Sequence, residues 1–312
     1  MGNLLSSGPS AASQHTPPPP LIPLCISGNL DSYLETYEEL AKQEGPNPLT
    51  VVDAQRNNVL HALFSSNQPN PSILEHIVKE SSPKFEALMS FKNALGCTPV
   101  WIAVAYGNHS ALPDDVTAEA LVECNDRGDS PLLAACSKAN LEALQYLSDK
   151  LGRLGFEKEC MRPNKSGSTP LFVSLSASSA PVLEFLLPHF PAASFSAKNA
   201  VGLTPLHVAA ERGFLAGVAA CLSNSRSSVD AVDKNGATAL HIAAFVGDVP
   251  CVEALLDAGA KDAKDERGKG PLFVAKIRGH GGCAEAMVKR GFKLSEVEEE
   301  ELEATKKRTP PS

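Results

Sequence analysis

The sequence predicts an all-α solenoid, a stack of short helix-turn-helix units, from three observations. Two segments agree almost residue for residue, Gly202-Leu203-Thr204-Pro205-Leu206-His207-Val208-Ala209-Ala210 and Gly236-Ala237-Thr238-Ala239-Leu240-His241-Ile242-Ala243-Ala244. Weaker copies flank them at a nearly fixed period, which is how repeat architectures announce themselves in sequence. The composition agrees: 40 alanines against 17 aromatic residues in a chain of 312 favour helices in close approach over an aromatic-rich β-sandwich.

In chain order, a degenerate unit comes first, with Leu21 to Ser27 as inner helix and Gly28-Asn29-Leu30-Asp31-Ser32-Tyr33-Leu34 as turn and start of the outer helix. Then follow Asn58-Val59-Leu60-His61, Gly96-Cys97-Thr98-Pro99-Val100-Trp101, Gly128-Asp129-Ser130-Pro131-Leu132-Leu133 and Gly167-Ser168-Thr169-Pro170-Leu171-Phe172. After the two strong copies, Gly268-Lys269-Gly270-Pro271-Leu272-Phe273 closes the series. The threonine-equivalent positions are 58, 98, 130, 169, 204, 238 and 270, at intervals of 40, 32, 39, 35, 34 and 32. The two long intervals place insertions after the first and third of these copies.

Each part of the motif has a local reason. Thr204 or Thr238 is an N-cap whose hydroxyl accepts from a free N–H of the first turn. Pro205 suits the first helical position, where no donor is required. Leu206 and the alanine pair make an apolar stripe with small residues for close packing. Gly213 and Gly247 end the inner helix in the left-handed conformation. The outer helix carries its own stripe, as in Val252, Leu255 and Leu256, and Gly259 and Asp262 turn the chain into the next unit. No unit buries both faces of its helices alone, so the units must stack. The last copy has Gly270 in place of the N-cap threonine and Lys276 in place of the second alanine, as befits a terminal capping unit.

These residues resemble the ankyrin repeat, over roughly residues 18 to 297. The resemblance implies about eight units of a turn and two antiparallel helices, counting degenerate caps. It also implies a structural role for His61, His207 and His241, which would hydrogen-bond neighbouring turns; Trp101, Phe172 and Phe273 fill that position elsewhere, again for packing. Finally, it implies a non-catalytic scaffold or adaptor whose protein partners touch the turn tips and the exposed inner-helix positions just before the repeat glycine. Mapped onto this chain, the binding residues are Tyr106, Lys138, Arg212, Phe245, Val246, Ile277 and Arg278, with tips at Leu95, Arg127, Lys165, Leu203, Lys234 and Arg267. Phe245, Val246 and Ile277 are apolar where the pattern is wet. A shallow groove over the last three repeats, with Phe245 and Arg278 central, is therefore expected to bind a protein segment.

Other functions are disfavoured. A net charge of −8 and a pI of about 5.5 leave no basic field for nucleic acid. No apolar run approaches the ~18 residues of a membrane span, and no basic-then-apolar leader opens the chain. The eight cysteines, at 25, 97, 124, 136, 160, 221, 251 and 283, include no CxxC pair. Neither a disulfide scaffold nor a zinc site is expected; buried free thiols in the cytoplasm are. The three motif histidines would lie about 10 Å apart across stacked helices, too far to share an ion at about 2 Å. Gly279-His280-Gly281-Gly282-Cys283 lacks the spacing and lysine of a phosphate loop, and no nucleophile elbow occurs. No metal, cofactor or small-molecule substrate is expected. Two alternatives to an adaptor are an inhibitor or regulatory subunit that occludes a partner enzyme with the same groove, and an enzyme with a site between repeats.

The ends carry other signals. Residues 1–20 run through a Ser/Ala stretch to Pro17–Pro20 with no charge, an extended and disordered composition. Met1-Gly2 followed by Ser6 fits N-myristoylation of Gly2. One such chain binds membranes only marginally, with K about 10⁴ M⁻¹, and the first cation is Lys42. The expectation is a weak, reversible tether at the cytoplasmic face of a membrane. Residues 21–295 form the solenoid. Residues 296–312 are an acidic then basic tail, opened by a capping box at Ser295-Glu296-Val297-Glu298. Ser295, followed by acids, is a phosphorylation candidate.

Overall fold

A computed structural model describes residues 21–43, 46–82, 84–225 and 229–308. Among the described residues the regular structure is helical, and the only β-type pairing is an isolated antiparallel bridge between Val232 and Thr238. The chain divides into two compact units, 1–103 and 104–312.

In the first unit, α1 (Leu21–Ser27) turns at Gly28, φ 70°, into α2 (Leu30–Ala41). The next pair is α3 (Val59–Ser65) and α4 (Pro71–Ser81). Inner helix α1 packs on α3 and outer helix α2 on α4. Asn29, Asn58 and Asn70 cap their helices with side-chain oxygens that accept free N–H groups. Leu60, Leu63, Phe64, Ile73 and Ile77 fill the core. The insertion expected after the first copy is the short α5 (Phe85–Met89). The boundary between the units falls inside α6 (Pro99–Tyr106).

The second unit begins irregularly. Where an outer helix should follow α6, the chain makes only a 3-10 turn at His109–Ala111 and the four-residue α7 (Ala118–Leu121). Pro113, Asp114 and Asp115 interrupt any apolar stripe there. The regular pairs then are α8 (Pro131–Ser137) with α9 (Leu141–Cys160), α10 (Pro170–Ala177) with α11 (Ala180–Leu186), and α12 (Pro205–Glu211) with α13 (Leu215–Asn224). They continue as α14 (Ala239–Val246) with α15 (Val249–Asp257) and α16 (Pro271–Ile277) with α17 (Gly281–Lys289). The insertion after the third copy is the second half of α9, which breaks direction at Gly152, φ 65° and ψ 171°. The described residues end in α18 (Glu296–Arg308), packed on α16 where a further inner helix would stand.

Inner helices α8, α10, α12, α14 and α16 stack in order, and the outer helices stack behind them. Leu132, Leu171, Leu206, Leu240 and Leu272 run through this stack fully buried, each stabilising it by about 1.5–3 kcal/mol. Ala135, Ala209, Ala243 and Ala275 are buried beside them, which is why the sequence is rich in alanine. Seven of the eight cysteines are buried and Cys124 is half-buried.

Candidate functional site

The exposed face of the inner helices is set by what holds the hairpins between units. Each hairpin begins with Asp or Asn: Asp53, Asn93, Asn125, Asn164, Asn199, Asp233 and Asp265. Each side chain accepts from the backbone N–H groups two and four residues on. Neighbouring tips are tied together by backbone bonds, Ala94 to Gln55 in the first unit and Lys165 to Arg127, Ala200 to Ser166 and Glu266 to Asn235 in the second. These acceptors lie five residues before the threonine-equivalent positions throughout, a signal present in the sequence that the motif reading did not use.

The histidines lock the hairpins to the helices. Thr204 and His207 form a reciprocal capping box, as do Thr238 and His241. The ring Nδ1 accepts the N–H of Thr204 at 3.2 Å and of Thr238 at 3.1 Å. A bare Nδ1 leaves the proton on Nε2, which donates onward to the carbonyl of Ala237 at 3.0 Å and of Lys269 at 3.1 Å. His61 bridges Asn58 N–H and the Cys97 carbonyl in the same way. Burial lowers the pKa of all three below the ordinary 6.5, in keeping with a neutral ring that links one unit to the next.

The last repeat has Phe273 instead of histidine, and α18 supplies the substitute. Glu298, 1% exposed, accepts the N–H of Gly270 at 2.7 Å. The same carboxylate accepts from Lys264 Nζ, Ser295 N–H and Ser295 Oγ. Burial alone would raise its pKa, but these hydrogen bonds overcome that and hold it down at about 2. The Ser295–Glu298 box was visible in sequence; its reach to Gly270 was not.

With the backbone so fixed, the residues predicted for binding are placed as follows. Tyr106, Lys138, Arg212, Phe245, Val246, Ile277 and Arg278 are all exposed. Phe245, Val246 and Ile277 expose 51%, 40% and 40% of their surface. Arg278 lies over the Phe245 ring, 3.7 Å from its centroid, and His280 Nε2 reaches the Phe245 carbonyl. Arg212 donates to Ser176 Oγ at 3.1 Å. A hollow in this face lies not beside Phe245 but over α8, α10 and α12. There a cavity of about 490 Å³ is lined by Ser137, Phe172, Val173, Ser176, Glu211 and Arg212. Tip residue Leu203 reaches this cavity as well. Ser295 is exposed at the start of α18. Gly2 lies outside the described residues. Among the described residues no helix is long and apolar enough to cross a membrane.

Comparison with known proteins agrees with this construction. A profile of the family described as ankyrin repeats, in three copies, matches residues 217–298. Neurogenic locus notch homolog protein 2 of Homo sapiens is 30% identical over 178 residues, covering 53% of this chain and 7% of its own. Neurogenic locus notch homolog protein 1 of Mus musculus is 40% identical over 94 residues, 30% of this chain and 4% of its own. Alpha-latrotoxin-Lhe1a of Latrodectus hesperus is 33% identical over 91 residues, 29% and 6%. The chain thus spans less than a tenth of the length of these relatives, which share its repeats. With seven hairpins of one design, paired helices stacked inner on inner, and histidines linking one turn to the next, the chain is built as an ankyrin-repeat solenoid.

Proposed function

We propose that this protein is a non-catalytic adaptor that holds a protein segment across the exposed inner-helix face of its second unit. In this reading Phe245 and Arg278 are central and Tyr106, Lys138, Arg212, Val246 and Ile277 contribute. The observation that carries it is the exposure of three large apolar side chains, Phe245, Val246 and Ile277, on neighbouring helices α14 and α16. Exposed apolar groups side by side are costly to leave in water and are typical of interaction surfaces. An aromatic ring under a guanidinium is also the kind of anchor that dominates binding energy. Ankyrin repeats themselves indicate a protein-interaction module.

The test is direct. Partners are crosslinked to the native chain in its own cells and identified, and their affinities for the purified Phe245→Ala and Arg278→Ala forms are measured. A tenfold or greater loss, about 1.4 kcal/mol, is expected for each. Partners that bind both forms as tightly as the native chain would place the interaction elsewhere.

The reading includes a reversible tether: an acyl chain on the amine of Gly2 that holds the adaptor weakly at the cytoplasmic face of a membrane, the partner adding the rest of the affinity. Intact-mass measurement of the N-terminal peptide from the native host is expected to show a myristoyl group, and a free or acetylated glycine would remove this part.

A further inference from the structure

We infer that the segment held on this face is an extended acidic one, with carboxylates roughly every six residues and an apolar side chain midway between two of them. The inference rests on the reading of the face as a protein-binding surface and names the chemistry of its occupant. The residue seven positions after the first residue of each inner helix stands at or just past the end of that helix and is exposed in four of the five, Ala177 being half-buried. Through the stack these positions are Lys138 on α8, Ala177 on α10, Arg212 on α12, Val246 on α14 and Arg278 on α16. The row alternates cation, apolar, cation, apolar, cation. Among the described residues none of its three cations is engaged in an ion pair. In the row immediately beside it, Ser137, Ser176, Glu211, Phe245 and Ile277, there is one acid. This strip is therefore net positive within a chain whose net charge is −8, so its sign is local to the face.

Two of the cations are already oriented. Arg212 is held by Ser176 Oγ at 3.1 Å, and Arg278 is stacked on Phe245. A guanidinium fixed in this way loses little further freedom on meeting a carboxylate, and its planar fork suits two-point contact. The spacing follows from the fold. Neighbouring packed helices lie about 8–10 Å apart, so cations on alternate helices are separated by about 16–20 Å. An extended chain rises about 3.3 Å per residue, so about five to six residues separate the carboxylates that meet them. Between Arg212 and Arg278 the midway position is Val246, flanked by Phe245 and Ile277, where an apolar side chain would be covered. Between Lys138 and Arg212 it is only Ala177, at the edge of the 490 Å³ cavity.

The experiment uses the full chain and a fluorescein-labelled extended peptide of Ser, Thr and Gly with three aspartates about six residues apart and a leucine midway in each interval. Three comparison peptides carry lysines in place of the aspartates, serines in place of the aspartates, or the three aspartates grouped at one end. Fluorescence anisotropy gives affinity, and hydrogen exchange locates the peptide. The spaced acidic peptide is expected to bind at least tenfold more tightly than the lysine and serine peptides and about threefold more tightly than the grouped one. Its binding should weaken with added salt and should protect α12, α14 and α16. Arg212→Ala and Arg278→Ala should each cost three- to tenfold, and Lys138→Glu/Arg212→Glu/Arg278→Glu together at least thirtyfold, with unchanged circular dichroism and melting temperature showing that the variants fold. Equal binding of the lysine peptide, or of the grouped one, overturns the inference, as does failure of the acidic peptide to bind. A serine peptide that binds as tightly and protects the same helices overturns the acidic requirement while leaving the face as a binding surface. Protection confined to other helices overturns the assignment of the face itself, and with it the reading on which the inference rests.

Discussion

Replacing Glu298 with glutamine should unfasten the C-terminal helix from the last repeat while leaving the earlier repeats intact. The carboxylate accepts four hydrogen bonds, from Lys264 Nζ at 2.7 Å, Gly270 N–H at 2.7 Å and Ser295 N–H and Oγ at 2.8 Å each. Glutamine keeps the shape but has one acceptor oxygen and no charge, so its amide hydrogens would face donors. A carboxyl held at about 2 in the fold against 4.5 in the open chain is stabilised by at most about 3 kcal/mol. Lys264 is 37% exposed, and solvent around it reduces this to about 2 kcal/mol. That corresponds to about a thirtyfold rise in the population of the opened end.

Hydrogen exchange read segment by segment is the suitable assay, because repeat arrays open locally and a single melting temperature averages over them. Protection at Gly270 and through α18 should fall about thirtyfold in Glu298→Gln at pH 7, with α12 unchanged. The sign of the pH effect is also determined. The folded-state pKa lies below the unfolded one, so the contribution is complete above about pH 4.5 and is lost as pH falls from there towards 2. The native chain should lose α18 protection across that window, and the variant should not. Equal protection at pH 7 in the two forms, or an equal loss on acidification, would refute the assignment of Glu298 as the replacement for the missing histidine.

Two further outcomes test the repeat design. His241→Leu leaves the Thr238 N–H unpaired and removes one of the two donors to the Lys269 carbonyl, which keeps the Asp265 N–H, and should cost about 1–3 kcal/mol in urea unfolding. Because burial depresses the pKa of His61, His207 and His241, stability should be full above about pH 7. It should then fall as pH drops through 6.5, since the unfolded state takes up protons first, and a melting temperature that rose on mild acidification would contradict this. Gly247 and Gly259 both have left-handed φ, 88° and 91°, but a Cβ at Gly247 would come within 2.5 Å of the His280 ring while nothing stands within 4 Å at Gly259. Gly247→Ala should therefore cost about 2–3 kcal/mol and Gly259→Ala about 1 kcal/mol, and equal melting temperatures for the two would count against the His280 contact.

The fold could be read because its code is local. N-cap, proline, apolar stripe and closing glycine all fall within about ten residues, and each is enforced by the backbone of a single helix. The inner helices from α1 to α16 start where these signals place them. The missing outer helix after α6 could not be read from the interval of 32, because a 3-10 turn and a four-residue helix span the same length of chain as a proper one. The hairpin acceptors at Asp53, Asn93 and their successors were readable, being locked to the motif at a constant offset. The histidine bonds to the next turn were implied by the resemblance, but two other contacts across the stack escaped: Glu298 to Gly270, 28 residues away, and Arg278 to Phe245, 33 residues away. Such pairs are set by the superposition of one unit on the next, and neither partner is marked by its neighbours in sequence.

The same reasoning explains where specificity can lie. A buried leucine in α10 or α12 is constrained by the helices above and below it, so one residue type recurs from unit to unit. The position that closes each inner helix lies outside the packed core, and the stack tolerates Lys138, Ala177, Arg212, Val246 and Arg278 there alike. Variation at that position is little constrained by the core, so order in it is free to serve what the face touches. The alternation of cation and apolar residue along the row, with two of the guanidiniums held in place by Ser176 and Phe245, is order of that kind.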